Sequence, residues 1–114
     1  MNKDDRARIR QEFDRCINMS AADIAQWLKT PQSASVGFVR PGETESVGRQ
    51  SARRIIAILR TPKARLTETD YAHMRKVVGY VKRHTAQGGP EKDKAHSRWR
   101  YSLMNWGHDP LKHS

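Results

Sequence analysis

Arg49-Gln50-Ser51-Ala52-Arg53-Arg54-Ile55-Ile56-Ala57-Ile58-Leu59-Arg60-Thr61-Pro62-Lys63-Ala64-Arg65 is the stretch on which the reading of this 114-residue chain turns. Ala52, Ile55, Ile56 and Leu59 recur at i, i+3, i+4 and i+7, the spacing of a helix with one face turned to a core. Thr61-Pro62 ends that helix, because proline has no amide to donate and pushes the residue before it out of helical geometry. The stretch holds six Lys and Arg and no Asp or Glu, against a net charge of +10 for the whole chain. At about 100° per residue, Arg49, Arg53 and Arg60 fall within roughly 40° of one another beside the apolar arc, with Arg54 further round. One helix thus carries a core face and a basic edge.

The next segment repeats that design. Leu66-Thr67-Glu68-Thr69-Asp70-Tyr71 reads as a helix start: Thr67 caps, Asp70 stands three residues on, and Leu66 staples onto Tyr71. The helix is expected to run to about residue 85, with Gln87-Gly88-Gly89-Pro90 ending it. Tyr71, Met74, Val77, Val78 and Val81 share an apolar arc. Arg75, Lys76, Lys82 and Arg83 spread over the neighbouring one, and His73, Tyr80 and His84 lie beyond. Lys63 and Arg65 sit on the connection. If the two helices pack side by side, their basic edges join into a strip that tracks a phosphate backbone. A single Arg on a helix face is ordinary solvation, but a merely soluble surface interleaves both signs, and 49–65 does not.

Upstream, Ile9, Phe13, Cys16 and Ile17 predict an amphipathic helix over 4–18 whose outer face mixes both charges and looks like scaffold. Ser20-Ala21-Ala22-Asp23 is a capping-box-like start to a short helix bearing Ile24, Trp27 and Leu28, stopped by Thr30-Pro31. Residues 31–48, interrupted by Pro31, Gly37, Pro41, Gly42 and Gly48, read as an irregular loop pinned by Val36, Phe38 and Val47, with a hairpin around Pro41-Gly42 as the alternative. Downstream, 90–97 is polar, a loop or a frayed helix start. Trp99, Leu103 and Trp106 then mark a last helix of roughly 10 to 13 residues that Gly107 terminates. The fold class expected is all-α: one domain over 1–114, a compact bundle of four to five helices with an irregular 31–48 loop.

A sequence pI near 10.4 points to a polyanionic partner. No apolar run is long enough for a membrane span, and the charged start reads against a secretory signal, so the expected location is the cytoplasm. The single Cys16 supplies neither an internal disulfide nor a zinc site and reads as a buried, inert thiol. His73, His84, His96, His108 and His113 lack metal spacing. His108-Asp109 is at most half of a metal dyad, and no nucleophile arrangement is recognisable, so no metal, cofactor or catalytic residue is expected. Ser46-Val47-Gly48-Arg49-Gln50-Ser51 enters a helix N-terminus, where Ser46, Gly48 and Ser51 would seat a phosphate, with simple capping as the alternative. It matches no nucleotide fingerprint. Trp99 and Tyr101 alternate with Arg98 and Arg100, a pattern that suits base stacking but at this spacing reads first as core.

Ser46-Val47-Gly48-Arg49, Leu66-Thr67 with Asp70 to Val78, Lys82-Arg83-His84 and the run Trp99 to Pro110 resemble a family of small uncharacterised bacterial and fungal proteins, as do Asn18-Met19-Ser20 and Trp27-Leu28-Lys29-Thr30. Members are often labelled DNA-binding protein, and the resemblance implies that role without supplying catalytic residues. Charge and resemblance together lead to the expectation of a non-enzymatic DNA-binding protein, largely sequence-independent and nucleoid-associated. Arg49, Arg53, Arg54, Arg60, Lys63, Arg65, Arg75, Lys76, Lys82 and Arg83 are its expected phosphate contacts. RNA binding, and an interaction or stress-associated module facing an acidic protein, are the alternatives.

Overall fold

A computed structural model of the chain describes residues 2–112. His113, one of the five histidines weighed as a metal ligand, lies outside the described residues, as do Met1 and Ser114. The described residues form six α-helices and no strand: α1 (Lys3–Cys16), α2 (Ala21–Leu28), α3 (Pro31–Ala34), α4 (Val47–Leu59), α5 (Glu68–Gln87) and α6 (Arg98–Asn105). Single 3-10 turns at Lys63–Arg65 and Lys94–His96 fill two of the connections.

Each α-helix starts where a short polar side chain takes up an orphan amide. Asn2, Ser20, Thr30, Ser46, Thr67 and Ser97 accept from the amides of Asp5, Asp23, Ser33, Arg49, Asp70 and Arg100. At Ser20 and Thr67 the acid three residues on reaches back to the cap's own amide and closes a capping box. Gly88 ends α5 at φ +73 and Gly107 follows α6 at φ +81, a region that side-chain-bearing residues rarely adopt.

Two helix pairs and a crosspiece make the bundle. α5 packs along α1, α4 packs along α2, and α6 touches α2, α3, α4 and α5. Phe13, Ile24, Ala52, Ile55, Tyr71, Met74, Val77 and Leu103 are sealed in the core between them. The α5 face is the expected one, with Tyr71, Met74, Val77, Val78 and Val81 buried.

α4 differs. Its buried set is Gly48, Ser51, Ala52, Ile55 and Ile58, a face turned by roughly 50° from the one expected. Ile56 is only half-buried and Leu59 is exposed. The turn results from what α4 packs on: it contacts α2 and α6, with Asn105 and Trp106 against Gly48, and meets α5 at Ser51.

The 31–48 segment is a loop entered through the four-residue α3, which Thr30 caps and Pro31 starts. Buried Val36 pins it, and the Val47 amide closes it on the Phe38 carbonyl at 2.8 Å. Phe38 itself, expected as an anchor, is 69% exposed. α6 is shorter than expected, eight residues, because the polar run ahead of it ends in the Ser97 cap.

Candidate nucleic-acid interface

Arg49 and Arg54 stand five positions apart on α4, about 140° around its axis, and so leave it on different flanks. On one flank the Arg49 guanidinium turns inward: Nη1 donates to the Leu28 carbonyl at 3.0 Å and the Ser33 hydroxyl at 2.8 Å, and Nε lies 3.4 Å from Glu45. Its side chain is 15% exposed. The partner groups belong to a buried polar hub centred on Asn105. Asn105 Oδ1 accepts from Trp27 Nε1 at 2.7 Å and from the Ser33 hydroxyl at 2.6 Å, and its Nδ2 donates to the Ser33 carbonyl at 3.1 Å. One asparagine therefore ties α2, α3 and α6 together, and Arg49 adds α4. Arg49, expected as a phosphate contact, is an internal strut: its donors are spent on carbonyl and hydroxyl oxygens that need them.

On the other flank Arg54 faces α5, with Nη2 3.5 Å from the Asp70 carboxylate. One turn back along α4, the Ser51 hydroxyl and His73 Nε2 share a hydrogen bond at 2.9 Å. These two contacts are where α4 and α5 meet, so the helices touch over a short length instead of lying side by side. Beside that junction opens a cleft of about 310 Å³ lined by Arg40, Arg54, Lys76, His73, Gln50 and Trp106, along with Val47 and Ser51. Three of these residues are cations and none is a carboxylate.

The anions nearest the cleft each answer one cation from outside its lining. Asp70 holds Arg54, and Glu43 lies 3.4 Å from Arg40. Lys76 has no ion pair within 4.0 Å among the described residues. Burial, with Arg54 and Lys76 adding to it, lowers the His73 pKa to about 4, so the ring enters the cleft neutral at pH 7. The Thr67 amide, followed by Arg54, holds the Asp70 carboxyl below the usual range. His73, Trp106, Tyr80 and His84 run as successive stacked rings behind it, with centroids 6.4, 4.2 and 4.0 Å apart.

The other expected contacts are distributed. Arg53, 58% exposed, forms a two-pronged pair with Glu45 at 2.7 and 3.1 Å. Lys82 reaches across to α1, 3.6 Å from Glu12, and Arg75 lies on the same flank of α5 by helical position. Arg83 lies back along its own helix, one guanidinium nitrogen 3.1 Å from where a Cβ on Gly79 would sit. Arg60 and Arg65 are exposed, and Lys63 faces α1 across a separate cleft. The single strip expected along two helices packed side by side is therefore broken into local groups, because α4 packs along α2 and α5 along α1.

Sequence reasoning missed Arg40, which sits in an aperiodic loop that carries no wheel and is brought to the cleft only by the fold.

At the expected Ser46–Ser51 phosphate seat, the protein's own groups take up the polar atoms. Ser46 and Ser51 are both buried. The Ser46 hydroxyl caps Arg49, Ser51 is engaged with His73, and the Trp106 indole nitrogen stands 3.1 Å from the Cβ position of buried Gly48. Capping fills the helix end, and Trp106 covers it.

His108 and Asp109 are structural: Nδ1 of the imidazole lies 2.6 Å from the Cys16 carbonyl, and the carboxylate takes both prongs of Arg100 at 3.0 Å. Arg100 holds that carboxyl low. Burial raises the half-buried Cys16 thiol. Trp99 donates to the His84 carbonyl at 2.8 Å and Trp27 packs on Tyr101, so the aromatic run of α6 serves the core. Among the described residues no three His, Cys, Asp or Glu gather around a point where a metal would sit, and no helix is long and apolar enough to cross a membrane.

No curated protein and no solved structure matches the chain. A family model matches residues 12–104, and its description names no activity, so the DNA-binding label that the resemblance implied draws no support from it. With the match spanning every helix from the second half of α1 to α6, the chain belongs to the family described as "Protein of unknown function (DUF3140)".

Proposed function

We propose that the protein is a non-enzymatic nucleic-acid-binding protein that grips duplex DNA by its phosphates with little sequence preference, inside the cell and on the nucleoid. The observation that carries this reading is the cleft at the α4–α5 junction, where Arg40, Arg54 and Lys76 converge and no carboxylate joins the lining. Arg53 on the outer face of α4 and Arg83 on that of α5 extend the positive field to either side. Side chains that contact phosphate fix position without reading bases, and a lining with three cations and no carboxylate suits the phosphate backbone.

Anisotropy of a labelled 20-base-pair duplex against salt tests it. With about five phosphates neutralised, log K falls with log[salt] with a slope near roughly −4.5. The double variant R54Q/K76Q is expected to weaken binding by at least tenfold and flatten the slope by about 2, with its urea midpoint preserved. A folded R54Q/K76Q protein that binds the duplex as the parent does overturns the reading.

His84, which ends the run of stacked rings beside Arg83, favours a second reading, RNA, since a half-buried ring next to a guanidinium suits an unpaired base. Competition between the duplex and a single-stranded RNA of equal length separates the two.

A further inference from the structure

The α1 helix was expected to be a mixed-charge scaffold, yet it contributes three cations to one place. Lys3, Arg6 and Arg10 from α1, with Lys63 from the α4–α5 connection and the Tyr71 ring, line an open cleft of about 450 Å³ with no carboxylate in its lining. These residues come from three separate segments, so the arrangement is a product of folding and not of a run of charge. Arg10 Nη1 donates to the Tyr71 phenol at 2.8 Å, which leaves the phenol's own hydrogen for another acceptor. The Tyr71 side chain is buried, so its hydroxyl anchors Arg10 from the floor of the cleft.

Arg6 is the unfinished member. Its guanidinium lies over the Tyr71 ring, 5.0 Å from the centroid, and Nη2 stands 3.6 Å from a Glu68 carboxylate oxygen. Its Nε is closed off from solvent and has no hydrogen-bond partner among the described residues. A buried donor left unpaired costs free energy that an acceptor in the cleft would recover after a small turn of the guanidinium. Asp4 and Asp14 share an adjoining cleft with Arg10 and Lys63, and Glu68 stands at Arg6, so carboxylates border the four cations without entering the lining of their cleft.

We propose that this cleft is a binding site for a compact phosphate chain, a di- or triphosphate group. Four cations converging on one concavity suit a dense, multiply charged anion better than a long duplex, and the two guanidinium forks match pairs of phosphate oxygens. Lys63 supplies a mobile point charge from the opposite wall. The buried Tyr71 hydroxyl holds Arg10 in place, and Glu68 tempers the affinity by competing for Arg6.

Calorimetric titration of the full chain with sodium tripolyphosphate tests the proposal, with adenosine triphosphate as the parallel arm for a nucleotide source. One saturable site per chain is expected. R6K keeps the charge and loses the fork, and K63Q changes only an exposed turn; each is expected to weaken tripolyphosphate at least fivefold, while E68Q tightens it about threefold. R54Q/K76Q leaves it within twofold, which keeps this site distinct from the DNA reading: either can fail with the other intact. The nucleotide is expected to lose affinity in R6K and K63Q by the same factors as tripolyphosphate. Non-saturable binding, or an equal loss in every variant that removes a cation, overturns the proposal, as does nucleotide binding indifferent to K63Q.

Discussion

Arg49 and Arg54 come from the same basic helix, look alike in sequence, and end in opposite environments. Arg49 is sunk against the Asn105 hub and gives its hydrogens to the Leu28 carbonyl and the Ser33 hydroxyl. Arg54 is 41% exposed on the rim of a cationic cleft, tied to Asp70 by a 3.5 Å contact. The charge is the same, but the work differs. An arginine enclosed by oxygens that have no other donor holds the fold together, whereas one at the edge of solvent adds little to stability and keeps its field for a partner. A count of basic residues therefore overstates a binding surface until each guanidinium's hydrogens have been traced.

The largest effect should come from the hub. Asn105→Ala removes the acceptor of Trp27 Nε1 and Ser33 Oγ together with the donor to the Ser33 carbonyl, and leaves those groups buried. A loss of about 3 kcal/mol is expected from urea denaturation. Arg49→Met should cost about 2 kcal/mol, because its stem packing survives and only its donors go. In both cases the protein that remains folded is expected to bind DNA within threefold of the parent. An Arg49→Met variant of parental stability that loses DNA tenfold would reverse the roles assigned to the two arginines.

The cleft has its own signature in pH. The His73 pKa in the fold is about 4, below its ordinary 6.5. The unfolded chain therefore takes up the proton first, and the stability tied to the neutral ring is complete above pH 6.5 and drains away as pH falls toward 4. At pH 5 the loss from this residue relative to pH 7.5 has a ceiling of about 2 kcal/mol, which solvent at the partly open ring reduces. His84, also lowered by burial, adds in the same direction. The carboxyls held low, Glu45, Asp70 and Asp109, lose their contributions only at more acid pH. Urea midpoints at pH 7.5 and pH 5 should differ by up to that amount in the parent and by much less in His73→Asn. Bound phosphate favours the protonated ring, so DNA affinity should climb severalfold over the same interval if the cleft is the seat.

Much of this architecture could be read in advance because its signals are local. The Thr67–Asp70 box, the Tyr71–Val81 arc and the glycines at 88 and 107 act within a turn or two of themselves, and the structure keeps them all. What stayed hidden depends on which helix faces which. A wheel placed Arg49 beside Arg53 and Arg60 but carries no information that α2 and α3 would close over that flank. The same gap concealed Arg40, which has no periodic neighbours, and the gathering of Lys3, Arg6 and Arg10 against Lys63. Phe38 shows the converse: an aromatic in a loop suggests an anchor, yet its backbone carbonyl, accepting from Val47, does the anchoring while the ring stays outside.

Arg53 sits between the two extremes and gives the finest test. It shares Glu45 with Arg49 and pairs with both carboxylate oxygens, as an internal strut would, yet it is exposed, as a partner-facing residue would be. If accessibility decides the role, Arg53→Gln should shift stability by no more than about 0.5 kcal/mol and weaken DNA by about two- to threefold, one phosphate contact already half answered by Glu45. If pairing geometry decides it, the same variant should cost nearer to what Arg49→Met costs and leave DNA binding alone. Glu45→Gln discriminates further: it frees Arg53 while weakening the support of Arg49. Under the accessibility rule DNA affinity rises slightly, since the carboxylate that tempers Arg53 is gone. Under the pairing rule the protein simply becomes less stable.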